Sequence, residues 1–489
     1  FGSGSIDIDS NSDFRVMNTL NIKFTNGSEA FAGVDLELFN YDTIVYATPF
    51  YGGNDAVSSS TGFISSELTV AYEIYNGSST TEDVDTTLKY HYGVRGKSID
   101  VDTGTSHTET VDVPSFWTKG LVRNTDTSTD YYKIQHAIDN ASAEDTLHIW
   151  AWTYYENVII SKELTVIGNG TGNTTLNATG GKGFDLVSDD ISLSNIKIIS
   201  CGDAATYKGI RISGDDVTIE NAIISNCGTG IYVEGASGTW IGNSTISHSN
   251  HIGVQSHYTS SEGVIFNSNI HNNTGSGIYI SSDSITIKSN TIENNDDYGI
   301  YLNGSSQALI KDNNLLKNKE HNLVLYNSND VHIIDNTISQ SDEGSGIVIT
   351  SGFSPRAIVE NNVISGNELD GIGIQSSDNH YFGNNSISSN DRYDLHFFSG
   401  TTGSTSRNTT FSTINVVSGS DVTTVELFVL DVNDASGVNM SGIDIKVMEN
   451  TTQKYATSYF DGSDPKTDSS GTIATFLIDY KIYDGSSTP

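Results

Sequence analysis

The chain has 489 residues, of which 47 are glycine and only 5 are proline, and its 60 acidic and 24 basic residues give a formal charge of -36. Such a composition suits many short strands joined by tight turns and excludes a helical bundle. So acidic a surface repels nucleic acid and anionic membranes, which excludes both as partners. No apolar run approaches the length of a membrane span, so we expect no membrane insertion in this segment.

Residues 1–128 contain short alternating segments separated by turn signals such as Asn26-Gly. This pattern predicts a β-sandwich module that resembles the immunoglobulin-like or carboxypeptidase-regulatory-like families. Near the start of this module, oxygen-bearing side chains recur at every second position, a spacing that suggests a Ca²⁺ site. The segment lacks the glycine and the terminal glutamate of an EF-hand loop. The predicted ligands are Asp7, Asp9, Asn11 and Asp13.

From Gly183 onward a Gly-apolar-x-apolar tetrad recurs every 21 to 26 residues. Clear copies begin at Gly183, Gly209, Gly230, Gly277, Gly299, Gly346 and Gly371, and weaker ones begin at Gly253, Asn322 and Asp394. A second alternating strand follows each copy, and a third element then reads Asn-x-Ile or Asn-x-Leu. The asparagines of that element are Asn290, Asn314, Asn336, Asn362 and Asn385.

Three short strands per period cannot bury their apolar faces alone. Stacked as a coil, each strand pairs with its equivalent one rung away and the alternating apolar residues all point inward. The recurrent asparagines then form a side-chain ladder, and glycine supplies the tight corner. The sequence therefore predicts an all-β fold, a single-stranded parallel β-helix of about ten rungs over residues 129–412.

These rungs resemble the NosD-like parallel β-helix repeats of the pectin-lyase-like superfamily. The segment before them, from Tyr132 to Gly168, resembles that superfamily's entry sequence, a short amphipathic helix followed by the first strands. The resemblance implies a right-handed coil with an N-terminal capping helix. It does not specify function, because such coils host enzymes, adhesins and structural proteins alike.

The outward position of the tetrad holds Tyr232, Tyr279 and Tyr301, which predicts an interrupted aromatic stripe suited to stacking on sugar rings. Acidic pairs occur at Asp189/Asp190, Asp215/Asp216 and Asp296/Asp297. Turn formation is the expected role of such aspartates. Asp215 and Asp216 are also candidate ligands of Ca²⁺, the one cofactor predicted for this chain.

Cys201 and Cys227 fall at the same position of adjacent rungs, where either a disulfide or two stacked thiols fit. Thirteen Asn-x-Ser/Thr sites permit extracellular N-glycosylation, a number close to chance for this composition. They are Asn26, Asn76, Asn140, Asn169, Asn173, Asn177, Asn243, Asn272, Asn303, Asn384, Asn408, Asn439 and Asn450.

The two ends of the chain resemble each other at an offset of 408 or 409 residues: Gly33-Val-Asp-Leu matches Gly442-Ile-Asp-Ile, and Tyr46 matches Tyr455. Residues 413–489 are therefore interpreted as a partial second copy of the first module. Two explanations stay open: the chain is a window cut from a longer tandem array, or the missing strands come from a neighbouring subunit.

The duplication favours a non-enzymatic extracellular protein, a repeating segment of a surface fibre, filament, stalk or coat, on a prokaryotic and specifically archaeal cell. Its expected partners are copies of itself. One alternative is an adhesin that binds cell-surface glycans on the outer face of the coil, and another is a polysaccharide lyase or hydrolase. The sequence shows neither the acid pairs of polygalacturonases nor the basic motif of pectate lyases, and so predicts no catalytic residue.

Overall fold

A computed structural model describes residues 13–26, 29–30, 34, 36–40, 43–48, 53–64, 68–76, 81–83, 86–90, 97–99, 106–112, 122–131, 133–178, 180–350, 356–428, 430–434, 436–449, 451–473 and 476–485. The chain divides into two compact units, residues 1–121 and 122–489. In the described ranges no helix is long and apolar enough to cross a membrane.

The first unit contains two β-sheets. One comprises Asp13–Asn26, Glu29–Ala30, Leu68–Asn76, Thr81–Asp83 and His107–Asp112, and the other Leu36–Asn40, Thr43–Ala47, Thr86–Tyr90 and Lys97–Ile99. Alternating apolar residues of both sheets are fully buried, among them Ile22, Leu36 and Leu88. Period-two burial of this kind is typical of sheets that pack face to face.

The second unit is a parallel β-helix whose strands form three long sheets, numbered here in chain order. Sheet 1 contains Val122–Asn124, Thr129–Tyr131, Thr146–Ile149, Thr165–Gly168, Ser192–Ser194, Thr218–Glu220, Trp240–Gly242, Val264–Phe266, Thr286–Lys288, Leu309–Lys311, Val331–Ile334, Ala357–Glu360, Tyr381–Gly383, Ser404–Arg407, Val422–Phe428 and Phe476–Tyr483. Sheet 2 contains Trp152–Tyr155, Thr174–Asn177, Lys197–Gly202, Ile223–Cys227, Thr245–Ser247, Asn269–His271, Thr291–Glu293, Asn314–Leu316, Thr337–Ser339, Val363–Ser365 and Ser386–Ser388. Sheet 3 contains Val158–Ile160, Phe184–Leu186, Lys208–Ile212, Thr229–Val233, Val254–Ser256, Ile278–Ile280, Ile300–Asn303, Leu323–Tyr326, Ile347–Thr350, Asp370–Gln375, Tyr393–Phe397 and Ile414–Val416.

The predicted coil is confirmed, with about twelve turns instead of ten. Sheet 3 has two strands beyond the ten predicted copies of the tetrad: Val158–Ile160, which lies in the predicted entry segment, and Ile414–Val416, which lies beyond the predicted end of the coil at residue 412. Elsewhere the tetrad behaves as predicted: Ile278 and Ile280 are buried, while Tyr279 between them faces outward. Packing of these inward isoleucines from rung to rung forms the core.

The predicted capping helix is Ile134–Asn140, which buries Ile134, Ala137 and Ile138 over the first rung. Charged side chains from the coil stabilise both of its ends. The Glu156 carboxylate accepts hydrogen bonds of 3.0 Å from the backbone N–H groups of Ile134 and Gln135, and Lys162 Nζ donates to the carbonyls of residues 138, 139 and 141. The charges have the signs that the helix dipole favours.

Buried asparagines form the predicted ladder at the turn before sheet 2. In each step a side-chain Nδ2 donates to the Oδ1 of the next rung at 3.0 Å, through Asn290, Asn313, Asn336, Asn362 and Asn385. Asn313, and not the predicted Asn314, belongs to the ladder, because Asn314 is the first outward residue of the following strand. A second ladder, through Asn273, Asn295 and Asn318, follows sheet 2.

The last strands of sheet 1 lie in residues 413–489, the segment that the sequence analysis interprets as a partial second copy of the module. Val422–Phe428 pairs in parallel with Ser404–Arg407 of the coil and antiparallel with Phe476–Tyr483. The hydrogen bonding of the coil therefore continues without a break into residues 413–489. Two further strands, Lys446–Glu449 and Thr452–Ala456, form a separate hairpin that is followed by a 3-10 helix at Ser458–Phe460.

Matching hydrogen bonds recur in the two copies. The backbone N–H of Leu36 donates to Thr48 Oγ1 at 3.2 Å, and that of Ile445 donates to Thr457 Oγ1 at 3.2 Å. Likewise the backbone N–H of Ala47 donates to Asp55 Oδ2, and the backbone N–H of Ala456 donates to Asp464 Oδ2 at 2.7 Å. Each pair of equivalents is separated by 409 positions, so the duplication includes local structure as well as sequence.

Candidate functional site

Sheet 3 places one outward side chain of every rung in a single column. The strands pair in register, so successive side chains lie one strand spacing apart, about 4.8 Å. The column runs through Asp185, Arg211, Tyr232, Gln255, Tyr279, Tyr301, Val324, Val348, Gly373, His396 and Asn415. This regular spacing suits a repeating polymer better than a compact ligand.

A second column lies beside the first, formed by the residue before each glycine corner. The carbonyl of each member accepts a hydrogen bond from the backbone N–H of the corner residue one rung earlier. It includes Lys208, Ile252, Ser276, Tyr298, His321, Ser345 and Asp370. The sequence analysis overlooked this column because its residue types vary from rung to rung. The corner residue that follows, glycine in most rungs and Asn322 in one, was the signal that could have identified it.

The two columns meet in an aromatic cluster at the middle of the coil. Tyr279 and Tyr301 have ring centroids 5.2 Å apart, and Tyr298 stacks on Tyr301 at 5.0 Å. The imidazole of His321 extends the stack, 5.9 Å from the Tyr298 ring and 13° from parallel. Asn303 Nδ2 donates to Tyr279 Oη at 2.7 Å and orients that ring. Half-exposed, nearly parallel rings offer flat surfaces to a ligand.

Carboxylates lie at the edge of this cluster. Asp297 is half-buried, and burial raises the pKa of its carboxyl; the negative charge of Glu320 in the next rung raises it further, while a 2.9 Å hydrogen bond from Ser276 Oγ opposes the shift. Burial and a hydrogen bond to exposed Glu320 also raise the pKa of Tyr298. Asp297 is thus a half-buried carboxyl that retains its proton to higher pH than an ordinary aspartate.

A second polar group lies farther along the same face. The buried Asp370 carboxylate accepts hydrogen bonds from Arg392, whose Nε lies 2.8 Å from Oδ1, and from His396 Nδ1 at 3.1 Å. Asn415 contacts His396 Nε2 at 3.0 Å, and Phe398 stacks on the imidazole at 3.6 Å. Burial lowers the pKa of His396, although the Asp370 charge opposes this. With both ring nitrogens engaged, His396 is positioned by its neighbours and presents no free nitrogen to a substrate.

Basic residues concentrate at the opposite end of the columns. Lys208 Nζ lies 4.3 Å from the centre of the Tyr232 ring, and burial lowers the pKa of this lysine. Arg211 bridges the carboxylates of Asp185 and Glu234 at 2.9 and 3.0 Å. The predicted tyrosine stripe is therefore divided: Tyr279 and Tyr301 touch, whereas Tyr232 belongs to this separate basic group.

The acidic pairs near residues 190 and 216 form turns. Asp215 N–H donates to Asp189 Oδ1 at 2.8 Å, and Ser237 N–H donates to Asp215 Oδ1 at 2.7 Å, so these aspartates tie one turn to the next. Asp7, Asp9 and Asn11 lie outside the described residues, as does the side chain of Asp13. In the described ranges no three His, Cys, Asp or Glu side chains converge as metal ligands. Calcium binding stays a prediction.

Cys201 and Cys227 are joined by a disulfide with Cα atoms 4.5 Å apart, which links two adjacent rungs. Most described glycosylation candidates are exposed: Asn140, Asn169, Asn173, Asn243, Asn272, Asn384, Asn408 and Asn439. Asn177 and Asn303 are half-buried, and the side chains of Asn26, Asn76 and Asn450 lie outside the described part. Asn303 already binds Tyr279, so a glycan on Asn303 would compete with the aromatic cluster for space.

The family model for the right-handed beta helix region matches residues 169–338 and 298–459. The two matches together span more than half of the chain, which therefore belongs to this family. No curated protein matched the sequence.

Several solved structures share the coil. The mannuronan C-5 epimerase AlgE6 A-module of Azotobacter vinelandii is 15% identical with a TM-score of 0.47, over 58% of this chain and 94% of that one. The Agl-KA catalytic domain is 15% identical with a TM-score of 0.48, over 86% and 89%. The catalytic domain of a GH87 alpha-1,3-glucanase is 12% identical with a TM-score of 0.45, over 84% and 92%. At such identities the likeness concerns the fold.

The prediction that this chain is not an enzyme is wrong in the light of these comparisons. Several of the similar structures are carbohydrate-active enzymes, among them an epimerase, a glucanase and a DFA-IIIase. The prediction rested on the absence of a familiar catalytic motif from the sequence.

Proposed function

We propose that this protein is a polysaccharide-active enzyme that binds its glycan along the outward face of sheet 3 and cleaves it beside Asp297. The observation that carries the proposal is the position of Asp297. Burial raises the pKa of its half-buried carboxyl, the charge of Glu320 in the next rung acts on it, and Tyr298 of the aromatic stack is its neighbour in the chain. Glycoside hydrolysis uses two carboxyl groups, one as the general acid and the other as the general base or nucleophile.

The tyrosine cluster supports glycan binding. Tyr279, Tyr301 and Tyr298 present three adjacent rings over two successive rungs. Sugar rings carry C–H groups on their faces, and these pack favourably against aromatic π-systems. Because the rungs repeat at about 4.8 Å, the face can hold several sugars of one chain in equivalent environments.

In the proposed reaction, Asp297 donates its proton to the glycosidic oxygen while the bond from that oxygen to the anomeric carbon breaks. Glu320 removes a proton from a water molecule, whose oxygen forms the new bond to the anomeric carbon. The products are two shorter glycans, one with a new reducing end. Exchange with solvent then returns the proton from Glu320 to Asp297.

Lys208 is the basic side chain on this face that we expect to contact an anionic group of the substrate, because Arg211 is already paired with Asp185 and Glu234. Four rung steps separate Arg211 from Tyr301 in the column, about 19 Å at one strand spacing per step. A chain lying over the aromatic cluster therefore extends to this group within a few sugar units. Cations on one stretch of a protein with a net charge of -36 attract anionic groups locally.

The test is an assay of the full chain on neutral and acidic polysaccharides, with separate detection of new reducing ends and of unsaturated ends. We expect new reducing ends without unsaturation. Asp297→Asn should reduce kcat by about 10²–10⁴-fold, as expected for loss of a general acid. Asp296→Asn is the matched control, because this neighbouring aspartate is exposed. Unsaturated ends would show that the enzyme cleaves by elimination and not by hydrolysis. An unchanged rate in Asp297→Asn would refute the role of Asp297 as the general acid.

Binding is measured separately with the Asp297→Asn protein, which retains the aromatic surface. Tyr301→Ala should weaken binding of the same glycan, because it removes the ring that contacts both Tyr279 and Tyr298 in the cluster. Tyr258→Ala is the control, because Tyr258 is 72% exposed and lies outside the cluster. Equal losses in the two variants would show that the cluster is not the binding surface.

A further inference from the structure

Sheet 1 carries a row of outward side chains that the candidate site on sheet 3 does not use. The strands pair in register, so each member lies one strand spacing, about 4.8 Å, from the next. Most members are apolar or aromatic. This sheet 1 row contains Trp240, Val264, Thr286, Leu309, His332, Ile358 and Tyr381. A continuous apolar row on the outside of a protein with a net charge of -36 marks a binding surface.

The ring of Trp240 lies flat on the strand that carries it. Gly242 occupies the next outward position of that strand, and a Cβ atom there would meet Trp240 Nε1 at 2.7 Å. Gly242 is buried although it faces outward, because the indole covers it. Trp240 itself is 39% exposed, so the opposite face of the indole is open. Phe266, one rung along, borders this ring with the two centroids 5.8 Å apart.

The same arrangement recurs at the far end of the row. Gly383 follows Tyr381 at the next outward position and is also buried, and a Cβ atom on it would meet Tyr381 Cε1 at 2.9 Å. Six rung steps separate Trp240 from Tyr381, about 29 Å at one strand spacing per step. Two flat rings on one straight row suit a long chain better than a compact molecule.

A cation lies beside the row. Lys288 is half-buried and follows Phe266 in the neighbouring outward column. In the described ranges Lys288 makes no ion pair, whereas Lys311 in the next rung pairs with Asp335 at 2.9 Å. An unpaired positive charge on so acidic a protein attracts anionic groups locally. The row therefore complements a ligand of the same charge as the substrate that we expect Lys208 to contact.

We propose that the sheet 1 row is a second glycan-binding surface, which holds a remote part of the polysaccharide that is cleaved on sheet 3. The inference rests on the proposed function for the identity of its ligand. Sugar rings would stack on the open faces of Trp240 and Tyr381, because their C–H groups pack against aromatic π-systems. Lys288 would contact an anionic group of the same chain. Two surfaces that bind one polymer raise the affinity for long chains over that for short ones.

The test measures binding of a soluble uronate polymer to the full-length Asp297→Asn protein, which does not cut it. We expect Trp240→Ala to weaken binding of the polymer, and to abolish the binding that remains after Tyr301→Ala. Gly242→Ala should also weaken binding, because its methyl group displaces the indole without removing it. Gly172→Ala is the matched control, because a Cβ atom on Gly172 would meet nothing within 4 Å.

Tryptophan fluorescence reports on the ring directly. We expect the polymer to change the emission of the Asp297→Asn protein and to cause a smaller change when Trp240→Phe is added. All other tryptophans are present in both proteins, so the difference isolates Trp240. Circular dichroism of each variant confirms that the coil is folded.

The outcomes separate this inference from the proposed function. Equal polymer binding with and without Trp240→Ala would overturn the sheet 1 surface, even if Asp297 is the general acid. Binding that depends on Trp240 without any cleavage by the wild type would contradict the proposed function and support the surface. An average mass that rises with protein concentration, and does so only when Trp240 is present, would show that a second copy of the chain covers the row in place of a glycan.

Discussion

Ser276 Oγ donates a 2.9 Å hydrogen bond to Asp297 Oδ2 from the neighbouring rung. This bond stabilises the ionised carboxylate and opposes the rise in pKa that burial imposes. Since Asp297 must be protonated to act as an acid, the bond limits the pH range of the proposed activity. A side chain of one rung thereby changes the pKa of a carboxyl in the next rung.

Replacement of Ser276 by alanine should raise the pKa of Asp297 further. The alkaline limb of the pH–rate profile would then move to higher pH, while the acidic limb stays in place. The measurement is kcat/KM against pH for the wild type and Ser276→Ala. Ser281→Ala, in the next turn of the same rung, serves as a control. A shift of the alkaline limb to lower pH would contradict the role of the bond.

Asp297 should also make stability depend on pH. Its folded pKa is raised, so its contribution is fully favourable below the unfolded pKa, near 3.9, and is lost as pH rises through the folded value. The Asp297→Asn variant has no carboxyl to ionise at this position, so its stability does not fall in this pH range for that reason. We therefore expect a higher Tm than wild type at pH 7 and no difference near pH 3. Calorimetry at both values, with Asp296→Asn as control, checks the sign.

The asparagine ladder should be a major source of stability. Asn336 Nδ2 donates to the carbonyl of Ile310 and to Asn362 Oδ1, and its Oδ1 accepts the backbone N–H of Asn313 at 2.9 Å. Asn336→Ala leaves these buried partners unsatisfied and should lower the free energy of unfolding by about 3 kcal/mol. Asn329→Ala, on an exposed side chain, should change it by less than about 0.5 kcal/mol. Urea unfolding of the two variants distinguishes them.

The disulfide should stabilise the early rungs. It closes a segment with a sequence separation of 26 residues, for which the loss of unfolded-state entropy is about 3 kcal/mol. The double variant Cys201→Ala, Cys227→Ala should therefore unfold at lower urea concentration. Reductant should weaken the wild type and leave the double variant unchanged. If reductant lowers the urea midpoint of both proteins equally, reduction of this disulfide is not the cause of the lower stability.

Thr239 offers a stabilising substitution. It is 4% exposed, and its Oγ1 has no hydrogen-bond partner among the described residues. Valine has nearly the same shape and no hydroxyl to leave unsatisfied, so Thr239→Val should raise the free energy of unfolding by about 1 kcal/mol. Thr286→Val is the control, because Thr286 is only half-buried on an outward strand position. A lower Tm for Thr239→Val would indicate a partner for the hydroxyl.

The sequence by itself determined the coil. Inward residues such as Ile278 and Ile280 repeat at every second position, and a period of two decides which face of a strand is buried. It also determined the duplication, because aligned residues such as Tyr46 and Tyr455 need no structure to be recognised. Asn314 was confused with Asn313, since a register error of one residue is invisible in a degenerate repeat.

Only the tertiary structure decided the candidate site. Asp297 and Tyr298 are neighbours in the chain, but Glu320 belongs to the next rung, and the stacking of rungs brings it to them. The separation of Tyr232 from Tyr279 likewise depends on the intervening Gln255 and on Lys208 beside the ring. Burial is a property of packed neighbours and not of residue type, so Gly242 is buried on the outward side of its strand, where the Trp240 indole covers it.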